Sequence, residues 1–136
     1  MSVPKKQILA LLDRYEEALR NRDAAACASF YDEDAIYLTC GTQPVRGREP
    51  IKSLHESMLG AGFELINLSA SHVEAEENLG YGTLIMDSRK ESMMALIVFG
   101  LDDNRNWKIR AEAEISLSLH RHASERLLSL FGHSHR

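Results

Sequence analysis

Trp107-Lys108-Ile109-Arg110-Ala111-Glu112-Ala113-Glu114-Ile115-Ser116 alternates apolar and polar residues along nearly its whole length. A period of two is the period of a β-strand, whose successive side chains point to opposite faces of the sheet. Trp107, Ile109, Ala111, Ala113 and Ile115 fall on one side. Lys108, Arg110, Glu112, Glu114 and Ser116 fall on the other. The strand, carried to residue 119, is preceded by Asp102-Asp103-Asn104-Arg105-Asn106, the clearest turn in the chain. Working backwards, residues 93–101, 79–87 and 63–76 are apolar and β-prone, with the polar turn Asp87-Ser88-Arg89-Lys90 between two of them. The second half is therefore predicted to be a four-strand antiparallel meander whose first member, 63–76, is bent or bulged.

The first half has a different period. Ile8, Leu12, Tyr15 and Leu19 recur at spacings of four, three and four, one stripe of an amphipathic helix over 4–21. Asp23 is a good N-cap for a short second helix over 24–30. Residues 35–40 turn to Ile, Tyr, Leu and Thr and predict a strand. A third helix is expected over 47–59, with Ile51, Leu54, His55 and Met58 on one face and Gly60-Ala61-Gly62 as its stop. A C-terminal helix is expected over 121–131, with Leu127, Leu130 and Phe131 on its apolar stripe. Helices gathered on one face of a curved antiparallel sheet make a two-layer α+β domain, and the space between the layers is a natural pocket.

Size and charge narrow the class. One domain is expected from 136 residues, with a core over 5–118 and a helix and tail over 119–136. The formal net charge of −4 argues against a nucleic-acid partner, which needs a concentrated basic surface. No apolar run is long enough for a membrane helix, and charges at Asp13 and Arg14 interrupt any leader-like stretch. Two cysteines, Cys27 and Cys40, make no disulfide framework, so a reducing, cytoplasmic setting is expected. The paired histidines His120/His122 and His133/His135 lack zinc-motif spacing, and neither a metal nor another cofactor is expected.

Four local phrases occur in order: Arg22-Asp23-Ala24-Ala25-Ala26 after the first helix, Phe30-Tyr31-Asp32-Glu33-Asp34-Ala35, Pro44-Val45-Arg46-Gly47-Arg48-Glu49, and Trp107-Lys108-Ile109. With the element order they resemble the nuclear-transport-factor-2-like superfamily over about residues 5–118. That group includes ketosteroid isomerases and SnoaL-like polyketide cyclases. The resemblance implies a cone-shaped domain in which three N-terminal helices pack on a curved sheet around a pocket. It does not fix a function, because the superfamily holds isomerases, dehydratases, cyclases, epoxide hydrolases and non-catalytic binding or assembly domains.

The isomerases resembled here use a carboxylate base on the first strand, with a tyrosine and a protonated acid as oxyanion hole. The resemblance places the base position at Thr39, which has no useful basicity, and the acid within 94–99, which holds no carboxylate. Tyr15 lies near the tyrosine position. Isomerisation by that route is therefore not expected.

Candidates remain. His55 sits on the apolar face of the third helix, where the family often has a pocket-facing aromatic. It is either a proton carrier or a half-buried histidine bonded to backbone or carboxylate. Glu112 and Glu114 share one face of the last strand. They are an acid–base pair if that face is concave, and solvated or interfacial if it is convex; the alternation favours the second. Tyr15, Leu19, Tyr31, Tyr37, Thr39, His55, Met58, Tyr81, Met94, Leu96, Glu112 and Glu114 are the expected pocket lining, with His55 and Tyr15 the candidate catalytic residues.

Three functions follow. The first is a pocket for a small apolar molecule. The second is an isomerase, cyclase or dehydratase on a ring-containing substrate, with His55, Tyr15 or a glutamate carrying the proton. The third is a non-catalytic assembly module. Residues 63–76 and 93–101 are apolar on both sides, so the outer sheet face is expected to be covered in a homodimer, or by the C-terminal helix folded back.

Overall fold

The computed structural model describes residues 1–117. The elements run α1 (Val3–Arg20), α2 (Ala24–Ser29), β1 (Tyr31–Leu38), β2 (Val45–Arg46), α3 (Arg48–Gly60), β3 (Leu65–Glu76), β4 (Leu79–Ser88), β5 (Ser92–Leu101) and β6 (Trp107–Ser116). The expected helix over 121–131 and the four C-terminal histidines lie outside the described residues. Among the described residues, no helix is long and apolar enough to cross a membrane.

Local chemistry sets the helix ends. The Ser2 hydroxyl accepts from the Lys5 amide at 3.3 Å, and the Asp23 carboxylate accepts from the Ala26 amide at 3.0 Å. Before α3, Gly47 takes φ 99°, a conformation that a side chain opposes. The Arg22 guanidinium bonds the carbonyls of Leu59 and Phe63, which satisfies orphan acceptors where α3 ends. The turn between α1 and α2 thereby holds the end of the third helix.

The six strands form one sheet in the order β2-β1-β6-β5-β4-β3. The meander β3–β6 is antiparallel, as its short polar turns dictate. β1 then joins β6 in parallel, and β2 pairs antiparallel with β1. β1 begins at Tyr31, four residues before the predicted start, because Tyr31 already lies opposite Ile109.

The helices cover one face of the sheet. Ile8, Leu11, Leu12 and Leu19 from α1 and Ile51 and Leu59 from α3 join Leu84, Met86, Ile97, Phe99 and Ile109 in a continuous core. Contact is close enough that a Cβ on Gly80 would lie 2.6 Å from the Ile8 side chain. Trp107 is buried, and its indole N–H donates to Gln7 on α1 at 2.8 Å.

Three strands depart from regular pairing, and in β1 the register against β6 shifts between Tyr31 and Ile36. β3 shifts register between Leu65 and Asn67 and again between Ser71 and Glu74, where His72 has φ 53°. β6 shifts too: Phe99 pairs with Ile109, but the preceding Val98 pairs with Ala111, leaving Arg110 as an extra residue. A one-residue bulge reverses the facing of everything beyond it. Trp107 and Ile109 point inward before the bulge, and Glu112 is buried after it. Ala113 and Ile115 are exposed. The predicted single apolar side of this strand is therefore two half-sides, and the expectation that its glutamates face solvent is corrected.

Candidate functional site

A cavity of about 340 Å³ opens between α3 and the inner face of the sheet. Leu54, His55 and Met58 form its helical wall, with Ala61 and Phe63 just beyond. Tyr37, Thr39 and Cys40 enter from the end of β1, Glu114 and Ser116 from β6, and Ser88, Lys90, Glu91 and Met93 from the β4–β5 corner. The volume lies near the lower end of the about 300–1,000 Å³ usual for small-molecule pockets.

Glu114 is the polar centre of the cavity. The Tyr37 hydroxyl donates to its Oε2 at 2.6 Å and the Thr39 hydroxyl to its Oε1 at 2.9 Å. The parallel pairing of β1 with β6 sets up both contacts, since Tyr37 lies opposite Glu112 and Leu38 opposite Ala113. Burial raises the Glu114 carboxyl above its usual range, and the two hydroxyls oppose that rise. Thr39, where the resemblance placed a base, thus holds a carboxylate delivered by the neighbouring strand.

Behind this layer lies a buried chain of polar groups. The Tyr31 hydroxyl is 2.7 Å from Glu112 Oε1 and 3.5 Å from the Tyr15 hydroxyl, and Tyr15 is 2.8 Å from His55 Nε2. His55 Nδ1 is 2.8 Å from the Ile51 carbonyl. A carbonyl only accepts, so Nδ1 carries the proton, Nε2 is the acceptor, and Tyr15 donates to it. Burial lowers the His55 pKa, with the Ile51 carbonyl opposing the shift, so the ring stays neutral.

Glu112 is pushed up to about 8, first by burial and then by the Glu114 carboxylate, with hydrogen bonding from Tyr31 and Tyr37 opposing the rise. It is therefore mostly protonated at neutral pH. Its Oε2 is buried without a hydrogen-bond partner. Burial, then the field of Glu112, raises the Tyr15, Tyr31 and Tyr37 phenols well above 10, so all three remain neutral donors.

The predicted lining divides into three groups. Tyr37, Thr39, His55, Met58 and Glu114 border the cavity. Tyr15, Leu19, Tyr31 and Glu112 are buried but do not border it; they pack behind it. Tyr81, Met94 and Leu96 lie on the opposite face of the sheet and are exposed. Their strands are apolar on both sides, so composition could not choose the face. Pairing fixes it: Met86, which is buried, lies opposite Met93, and Ile85 opposite Met94. Phe63, Met93 and Leu54 were absent from the expected lining. Leu54 was signalled by its place on the apolar face of the third helix, and Met93 by its parity with Ile97 and Phe99.

Burial raises the Cys27 thiol to about 12, which leaves it inert, whereas Cys40 is exposed at the cavity edge. Among the described residues no cluster of three His, Cys, Asp or Glu is placed to hold a metal ion.

No family model matches the chain, and no curated protein matches it. Solved structures do. A ketosteroid isomerase-like protein from Erwinia carotovora atroseptica superposes with TM-score 0.70 at 11% identity, over 85% of this chain and 98% of that one. A domain of unknown function with a cystatin-like fold from Nostoc punctiforme gives TM-score 0.72 at 14% identity, over 96% and 98%. A nuclear-transport-factor-2-like protein of unknown function from Pseudomonas putida gives 0.70 at 17% identity, over 85% and 87%. At such identities the likeness is one of architecture, and it agrees with the four sequence phrases: this chain has the cystatin-like fold of the nuclear-transport-factor-2-like and ketosteroid isomerase-like proteins.

Proposed function

We propose that this chain binds a small, largely apolar molecule in the cavity between α3 and the sheet. The observation that carries the reading is Glu114, a carboxylate set among Leu54, Met58, Phe63 and Met93 and gripped by two hydroxyls. Apolar walls with a few convergent polar groups are the usual make-up of a ligand site. Native mass spectrometry of the purified full chain tests it, together with thermal shifts for small ring compounds. Bound mass, or a stabilisation that Thr39→Trp removes, is the expected result. No bound mass and no stabilisation by any compound would overturn it.

One observation favours a second, enzymatic reading, in which a proton-transfer enzyme of the isomerase, cyclase or dehydratase kind works through a glutamate. Glu114 borders the cavity and its pKa is raised toward the range a general base needs. His55 is a poorer carrier, because both ring nitrogens are already bonded within the protein. Turnover that survives Glu114→Gln would exclude this reading.

The quaternary proposal is a two-fold homodimer through the outer sheet face. Tyr81 and Leu96, each 50% exposed, support it, with Met94, Ile115 and Leu38 around them. Met94 lies between Ile85 and Ile115, and Leu38 lies opposite Ala113, which in turn lies opposite Leu96. Such a patch in water is unusual for a monomer.

A further inference from the structure

We propose that the ligand of this cavity is a cation: a primary or secondary amine carried on a small apolar skeleton, with its ammonium seated on Glu114. The inference rests on the binding reading above and specifies its chemistry.

The site has carboxyl groups that form no ion pair among the described residues: Glu114 and, across from it on the β4–β5 corner, Glu91. Glu114 borders the cavity and Glu112 stands two residues away on the same face of β6. Each Glu114 oxygen receives one hydroxyl, Tyr37 on Oε2 and Thr39 on Oε1. Each oxygen therefore keeps acceptor capacity, since an ionised carboxylate accepts at about four positions.

Among the described residues no cation forms an ion pair with Glu114. The ion pairs there are Arg20–Glu16, Arg48–Glu33 and Arg89–Glu64, none of which borders the cavity. Lys90 is the cationic side chain at the cavity. It is exposed at the rim and donates to the Ala61 carbonyl at 3.1 Å.

Glu114 is half-buried; a charge partly withdrawn from water without a counter-charge is costly, and a carboxylate in that position protonates or acquires a counter-ion. An ammonium supplies both the counter-charge and hydrogen-bond donors. A neutral alcohol supplies a donor only. An anion would meet like charge at Glu114. Tyr37 and Phe63 line the same cavity, so an ammonium held at Glu114 has aromatic side chains among its neighbours.

Three probes that share a benzyl group separate the possibilities: benzylamine, benzyl alcohol and phenylacetate, titrated calorimetrically into the full chain at pH 7.5. Benzylamine is expected to bind at least tenfold tighter than benzyl alcohol, and phenylacetate weakest of all. Glu114→Gln should bring the amine down to the affinity of the alcohol. In the wild type, benzylamine affinity should fall as pH drops, starting above the ordinary carboxylate range, and binding near that range should release protons. The pH series needs no variant and decides the matter if Glu114→Gln misfolds. If benzyl alcohol binds as tightly as benzylamine, or if amine affinity is unchanged by Glu114→Gln or by pH, the amine assignment fails while the pocket survives. If none of the three binds, the amine assignment fails, and the pocket reading fails with it when native mass spectrometry also shows no bound mass.

Discussion

The Tyr15 hydroxyl donates to Nε2 of His55 across 2.8 Å and so joins the first helix to the third inside the core. Both groups are nearly inaccessible to water. Removing the hydroxyl leaves a buried acceptor without a partner, at a cost of about 1–3 kcal/mol. Tyr15→Phe should therefore melt measurably lower than the wild type. Nitrogen-15 NMR of the wild type near pH 6.5 should show His55 neutral with its proton on Nδ1. A protonated ring at that pH would contradict the assigned direction of the bond.

Glu112 predicts the alkaline side of the stability profile. Its folded pKa of about 8 stands above the unfolded value of 4.5. Between those values the folded chain binds more protons than the unfolded one, so this residue's stabilisation is fully present below 4.5 and is lost as pH rises through 8. His55 acts in the opposite sense: its folded pKa lies below 6.5, so its contribution is full above 6.5 and is lost as pH falls. Glu112→Gln should be more stable relative to wild type at pH 8 than at pH 5. Melting curves at the two pH values check this, and parallel profiles would show that Glu112 does not titrate as assigned.

Trp107 anchors the start of β6 against α1. It is buried, and its N–H is bonded to Gln7. Truncation to alanine should cost about 3–5 kcal/mol. Denaturant unfolding would read this directly. A shift of only a few tenths would mean that the indole is not packed in the core.

The outer face predicts an assembly that one charge can break. Leu96 sits near the centre of the exposed apolar patch, between Thr83 and Ala113. Leu96→Lys in the full chain should shift sedimentation from dimer to monomer at micromolar concentration and leave the melting of the monomer fold largely intact. A wild-type chain that already sediments as a monomer would end the dimer proposal.

Much of the fold was legible because periodicity survives wherever one face is buried and the other is wet. The stripe Ile8, Leu12, Tyr15, Leu19 fixed α1 to within a residue at each end. The meander followed from its turns. The two-residue strand β2 was invisible, since Val45-Arg46 is too short to carry a period.

The candidate site was legible only in part, for a physical reason. Glu112 and Glu114 were placed by continuing the alternation from Trp107, and the bulge at Arg110 interrupts that alternation. Arg110 gives no sign of this in its own identity. The cause is the register of β5, where Val98 and Phe99 face residues two apart. For β4 and β5 the difficulty was the reverse: Met93 and Met94 are equally apolar, and only pairing separates them. His55 was read either as a proton carrier or as a half-buried histidine bonded to backbone or carboxylate; its partner Tyr15 lies 40 residues away and leaves no local trace.

The parallel pairing of β1 with β6 has a consequence for how the protein is made. Tyr31 and Glu112 are 81 residues apart in the chain, Tyr37 and Glu114 are 77 apart, and Thr39 and Glu114 are 75 apart. Contacts this distant in sequence form late, because the loop between them must be closed first. During synthesis, α1, α2, β1 and α3 leave the ribosome before either carboxylate exists. The inward tyrosines of β1 have no acceptor on β6 until that strand arrives. Fitness for binding is thus acquired in one late step, and a ribosome stalled before residue 107 would hold a chain with most of its secondary structure encoded and none of its polar centre.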